Sequence, residues 1–137
     1  MSDEHVDLVR RIFDNLDNPS DEVRALWAPD VEFDVSRDLF GPLVGGGQYR
    51  GPEGVRAWML DFYAAWEQMD MTCEELIDAG DDVVVVLHVH GRGRTSGIEV
   101  EYSPAGVWTV RDGRIVKVVW YAGRDEALAS VGLQGQA

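Results

Sequence analysis

The run Asp81-Asp82-Val83-Val84-Val85-Val86-Leu87-His88-Val89-His90 decides how this chain is read. Gly80-Asp81-Asp82 turns the chain, and Val83 to Arg92 reads as a strand, because β-branched residues suit a pleated backbone better than a helix. From Val83 to Leu87 nothing alternates, so both faces of this strand need an apolar cover. The helices supply one cover, and a second subunit is the simplest source of the other. Downstream, a glycine-punctuated turn through Gly97 leads into a strand from Ile98 to Val110. Asp112-Gly113 then gives a two-residue hairpin signal between Trp108-Thr109-Val110 and Ile115 to Tyr121. With a strand from Met71 to Asp78 upstream, this makes a four-stranded antiparallel meander, and Arg124 to Val131 forms a short terminal helix.

Three helices are expected before the meander. Val6, Val9, Phe13 and Leu16 recur at spacings of three and four with Arg10, Arg11 and Asp14 off that stripe, the mark of an amphipathic helix. Asn18-Pro19-Ser20 breaks it. Ser20 caps a second, short helix with Asp21 and Glu22 in its first turn and Val23, Leu26 and Trp27 inward, ended by Pro29. Val31 to Ser36 alternates as a strand and leads into a long glycine-rich surface loop from Gly41 to Gly51. Pro52 opens a third, longest helix, on which Val55, Trp58, Met59, Phe62, Trp66 and Met69 share one face. The order α-α-β-α followed by the meander gives one α+β domain over residues 1–137. A meander with two free edges cannot cover a helix of this size while flat, so the sheet is expected to curl around it and leave a hollow at one end.

Twelve Lys+Arg against 25 Asp+Glu leave a net charge of −13 among 137 residues, which repels phosphate backbones and anionic lipid surfaces. Nucleic acid and membrane are therefore not expected as partners. No window approaches the ~18 apolar residues of a membrane span. The first residues show neither a basic nor an apolar signal region, and Cys73 alone forms no internal disulfide, so a cytoplasmic setting is expected.

Trp27-Ala-Pro-Asp-Val-Glu-Phe33, Tyr49-Arg-Gly-Pro-Glu-Gly-Val55, Gly80-Asp-Asp-Val-Val-Val85 and Val107-Trp-Thr-Val-Arg-Asp-Gly-Arg-Ile-Val116, in this element order, resemble the SnoaL-like branch of the nuclear transport factor 2-like superfamily. The resemblance spans nearly the whole chain. It implies a cone-shaped α+β barrel, a curved antiparallel sheet wrapped around a long helix, with a deep apolar pocket for a small hydrophobic molecule and a homodimer packed through the outer sheet face. It does not imply one activity, because the superfamily includes ketosteroid isomerase, limonene epoxide hydrolase, scytalone dehydratase, polyketide cyclases and proteins that only bind. The isomerase's helix tyrosine falls on Ile12 or Phe13 and its penultimate-strand aspartate on Gly106, which leaves Asp34 or its neighbour as base without the donors. The hydrolase's Arg and Asp fall on His88 and His90, and its last Asp falls near Trp120. Both catalytic sets are missing their parts.

Residues two apart on a strand share a face, so His88 and His90 belong together. Turned inward, one of them would be a general base with Asp34 or Tyr102 nearby; turned outward, they are interface or solvated residues. Val84 and Val86 share their parity, and the opposite parity is equally apolar, so periodicity does not choose the face. A His-x-His pair also begins a metal site, but no third and fourth ligand is evident, and neither metal nor cofactor is expected. Trp27, Phe62, Trp66, Tyr102, Trp108 and Trp120 supply core and, in part, an aromatic pocket wall. Cys73 reads as a small core residue whose neighbours Glu74 and Glu75 oppose a thiolate. Two functions fit: a cofactor-independent acid/base lyase, isomerase, cyclase or hydrolase, and a binding protein without turnover. A pocket with a convergent His/Asp/Tyr set favours the first, and one walled by aromatics alone favours the second.

Overall fold

A computed structural model of the chain describes residues 2–15, 20–37 and 47–133. Leu16, the Asn18-Pro19 break and positions 41 to 46 of the glycine-rich stretch lie outside them. The elements are α1 (Ser2–Asp14), α2 (Asp21–Arg24), β1 (Trp27–Arg37), β2 (Gln48–Arg50), α3 (Gly51–Ala64), β3 (Trp66–Ala79), β4 (Asp82–Gly93), β5 (Glu99–Tyr102), β6 (Ala105–Arg111), β7 (Arg114–Tyr121) and α4 (Arg124–Ser130). The strands form one curved, unclosed sheet in the order β2-β1-β7-β6-β4-β3, with β5 added to the end of β4. Every pairing is antiparallel except β1 with β7. The α+β architecture is thus the expected one, while the sheet extends beyond the meander to β1 and β2 and holds this parallel pair.

Several boundaries move. The Ser20 hydroxyl accepts from the Val23 N–H at 3.2 Å and caps α2 as its sequence requires, but the helix stops at Arg24. Trp27 therefore opens β1 beside Ile115 of β7 rather than closing a helix, and Pro29 sits inside that strand. The tail of the glycine-rich stretch, Gln48 to Arg50, pairs with Glu32 to Asp34 as β2. The strand expected from Ile98 to Val110 is two strands, separated at Ser103-Pro104 because proline offers no N–H to a ladder.

The third helix ends at Ala64, so Trp66 and Met69 belong to β3 and not to the helix face assigned to them. Arg94 holds this corner: its Nε donates to Ala64 O at 3.1 Å and its Nη2 to Trp66 O at 3.0 Å. These donors satisfy carbonyls that would otherwise be orphaned at the helix end. The helical spacing of Trp66 is misleading because its ring still meets Phe62, at 5.9 Å between centroids, from the first position of the strand. The same ring covers Gly91 of β4, which has no room for a Cβ: one placed there would be 2.7 Å from Trp66 Cε3.

The core divides at the sheet. Val83, Val85 and Leu87 join Val31, Phe33, Val35, Ile115 and Val118 on the concave side under α1 and α3. Val84 and Val86 join Ala105 and Val107 on the convex side, where Ala127 and Leu128 of α4 cover them. The second cover of β4, expected from another subunit, is therefore supplied by the chain's own last helix. The Arg124 guanidinium fixes its start through Glu75, with Nε 2.8 Å from Oε1 and Nη2 3.4 Å from Oε2.

Candidate functional site

Concavity, not any single motif, builds the site. Alternation along β1 turns Val31, Phe33 and Val35 inward, and alternation along β4 does the same for Leu87 and Val89. Phe33, Leu87 and Val89 meet Val55, Trp58, Met59 and Phe62 of α3, Met71 of β3, Tyr102 of β5 and Trp108 and Trp120 of the last strands. Together with Phe13, Trp27, Tyr63 and Pro104 they line one narrow, largely apolar hollow. A wider hollow lined by Arg24, Glu53 and Arg56 shares Trp27, Val55, Met59 and Tyr63 with this cavity.

The rings form a connected wall. Trp58 stacks on Phe62 with centroids 5.0 Å apart and meets Phe33 at 5.1 Å. Trp108 meets Phe13 at 5.2 Å, Trp27 at 5.3 Å and Trp120 edge-to-face at 6.1 Å. Such tilted and offset pairs are the geometry aromatic quadrupoles favour. Trp27, Phe62, Tyr102, Trp108 and Trp120 stand around this hollow, and Trp66 stands behind Phe62. Trp58, Phe33 and Phe13 complete the wall, and their inward parity was already visible in the sequence.

Gly106 is the residue that the sequence reading left without a role in the site. It occupies the inward parity of β6 between the two tryptophans, where a Cβ would stand 2.8 Å from Trp120 Cε3 and 3.0 Å from Trp108 Nε1. Both indoles lie over the space its missing side chain leaves.

The expected catalytic residues are not in the cavity. Because Leu87 and Val89 line it, His88 and His90 project from the opposite, convex face, and the expectation that they enter the cone is not met. There His88 Nε2 lies 3.0 Å from Glu101 Oε2 and Nδ1 lies 3.4 Å from the Ser103 hydroxyl, while His90 is exposed and paired in register with Glu101. Asp34 also has the outward parity, between inward Phe33 and Val35; its Oδ1 accepts from the Ser36 N–H at 2.8 Å and the Ser36 hydroxyl at 2.6 Å. The structure brings neither histidine together with Asp34 or with the Tyr102 face. No cluster of three or more His, Cys, Asp or Glu able to hold a metal ion occurs among the described residues. Cys73 is half-buried under α1, and burial pushes its thiol pKa up; Arg10 pulls it down and Asp14 up by smaller amounts. Burial, rather than the adjacent Glu74 and Glu75, is what opposes the thiolate.

Residues 9–118 match the SnoaL-like domain family, and the chain belongs to it. Solved structures repeat the fold. TerC, co-crystallized with polyporic acid, is 20% identical with a TM-score of 0.72, covering 88% of this chain and 92% of its own. An NTF2-like protein from Burkholderia pseudomallei K96243 is 24% identical with a TM-score of 0.70, covering 96% of this chain and 99% of its own. A putative SnoaL-like polyketide cyclase from Jannaschia sp. CCS1 is 17% identical with a TM-score of 0.69, covering 99% of this chain and 95% of its own. None of the curated protein sequences matches. No helix among the described residues is long and apolar enough to cross a membrane.

Proposed function

We propose that this chain is a binding protein for a small, largely apolar molecule held in the aromatic cavity. The wall itself carries the reading: among the described residues that line it there is no carboxylate, imidazole, thiol or cationic group. Acid/base catalysis needs a titratable group within hydrogen-bond reach of the reacting atom, and among the described lining residues the phenols of Tyr63 and Tyr102 are the only such groups. A cofactor-independent isomerase, cyclase, dehydratase or hydrolase is for that reason the less supported reading. The polyporic acid of the TerC crystals supports small-molecule binding by a fold of this shape.

Self-association through the convex sheet face belongs to the same reading, confined to the strip around His88, His90 and Glu101 that α4 does not cover. A dimer at micromolar concentration in sedimentation equilibrium supports it, and a monomer ends it. A cytoplasmic setting belongs to the same proposal, and a single cysteine, which forms no internal disulfide, agrees with it.

Native mass spectrometry of the purified protein tests the main reading. The expected result is a bound small molecule released on denaturation, or a melting temperature that rises with apolar aromatic compounds. Ligand-free protein whose melting no such compound changes would overturn it.

A further inference from the structure

Between α1, α2 and α3 the chain leaves a hollow of about 520 Å³, wider than the aromatic one and within the roughly 300–1,000 Å³ usual for small-molecule sites. Its floor is apolar, made by buried Ile12, Val23 and Val55 with Met59, and Leu60, 61% exposed, stands at its edge. Two guanidiniums line it from different helices, Arg24 of α2 and Arg56 of α3, against one carboxylate, Glu53, among the described lining residues. This is a local excess of positive charge in a chain of 12 Lys+Arg and 25 Asp+Glu. Neither guanidinium is committed to the fold. Arg24 meets Asp21 at 3.7 Å with both side chains exposed, a pair of little energetic weight. Arg56 makes no hydrogen bond, ion pair or ring contact among the described residues.

We propose that this outer hollow is a binding site in its own right, for a small amphipathic monocarboxylate whose apolar part covers the floor and whose carboxylate is met by Arg24 and Arg56. Each part of that description has a source. The carboxylate follows from the guanidinium fork, whose parallel N–H groups match the two oxygens of a planar anion. A single negative charge follows from Glu53 at the site and from the net charge of −13, which together oppose a phosphate or a dicarboxylate. The apolar part follows from Ile12, Val23, Val55 and Met59, which a fully polar anion would leave against water. A cation fits worse, since it meets two like charges and one opposite one. The proposal does not depend on what the aromatic hollow holds: the two share Trp27, Val55, Met59 and Tyr63, but Ile12, Val23 and Leu60 line the outer one alone, and Leu87 and Val89 the inner one alone.

The test compares decanoate, below its micelle concentration, with 1-decanol, which has the same chain and no charge, on the full chain labelled at its Ile, Leu and Val methyl groups. The expected result is an affinity about tenfold higher for the acid, with nuclear Overhauser contacts from its chain to the methyls of Ile12, Val23 and Leu60. Arg24→Gln and Arg56→Gln should each weaken decanoate about three- to fivefold, as the loss of one exposed pair does, and together bring it to the level of 1-decanol. Both side chains are exposed, so the melting temperature of the variants should stay that of the parent, and the comparison of acid with alcohol on the parent chain stands without them. Equal affinities for acid and alcohol overturn recognition of the carboxylate. Contacts confined to the methyls of Leu87 and Val89 put the ligand in the aromatic hollow and overturn the outer site. Decanoate that does not bind at millimolar concentration overturns the proposal and leaves the reading of the aromatic hollow untouched.

Discussion

Gly106 and Trp120 are partners in register across the β6–β7 pair, and the glycine has no room above it: a Cβ there would lie 2.8 Å from Cε3 of the indole. The backbone of Gly106 is of the ordinary extended kind, so space, not conformation, is what selects glycine. A methyl group there must push Trp120 or Trp108 into the cavity they line. Gly106→Ala is expected to destabilise the fold by about 1–3 kcal/mol, as overpacking does elsewhere, and to weaken binding of aromatic ligands. Urea unfolding and ligand titration measure the two effects, and a variant as stable and as avid as the parent would contradict this packing.

His88→Ala removes one surface partner of Glu101, a pair in which the histidine side chain is 37% and the carboxylate 64% exposed. Exposed pairs of this kind contribute about 1 kcal/mol or less. Stability should fall by no more than that, and affinity for a cavity ligand should stay within about twofold. A tenfold loss of affinity would show that the histidine reaches the cavity when the protein works.

Leu128 is fully buried against Val84, Val86 and Val107, and the chain relies on it to close the convex face. Leu128→Ala should cost about 2–5 kcal/mol in denaturant unfolding, the range for emptied leucine sites. Leu128→Asp should lift α4 and expose the valines, with self-association visible by light scattering. Unchanged stability in the alanine variant would mean that α4 does not dock there in solution.

Cys73 lies under α1 with its thiol pKa above the ordinary value, chiefly through burial. The folded chain thus holds this proton more tightly than the unfolded one. Stability is unaffected by the group below the ordinary thiol pKa and falls as pH rises through the folded value. Alkylation of the native protein at pH 7–8 should accordingly be slower than that of a free thiol at the same pH, and should accelerate in alkaline buffer. Native-state labelling at the rate of a free thiol near neutral pH would refute the burial.

What the sequence carried well was local and periodic. The hairpin at Asp112-Gly113 forms with both residues at positive φ, 54° and 76°, as a turn of this type demands. The Ser20 cap, the Val31-Phe33-Val35 alternation and the inward stripe of α3 as far as Phe62 also need only neighbouring residues to be understood. The end of α3 was not legible, because Arg94, thirty positions beyond Ala64, supplies the donors that terminate it. The rings around the hollow were legible as types, since an excess of aromatics must go somewhere apolar, while which of them face one another was set by the sheet's curvature and by α3.

The sequence by itself determined that β4 is a strand with two apolar faces and that His88 and His90 share one of them, because a strand's side chains alternate with a period of two whatever surrounds it. Which face became the cavity was decided only when the chain closed. Val84 and Val86 on one parity and Val85 and Leu87 on the other are equally hydrophobic, so the strand has no local preference. Leu128 and Ala127 of α4 reach the Val84 side from the far end of the chain, while α1 and α3 take the other side. Burying both faces at once fixes the choice, and it leaves the imidazoles with Glu101 and Ser103 at the surface and an aromatic, indole-lined hollow within.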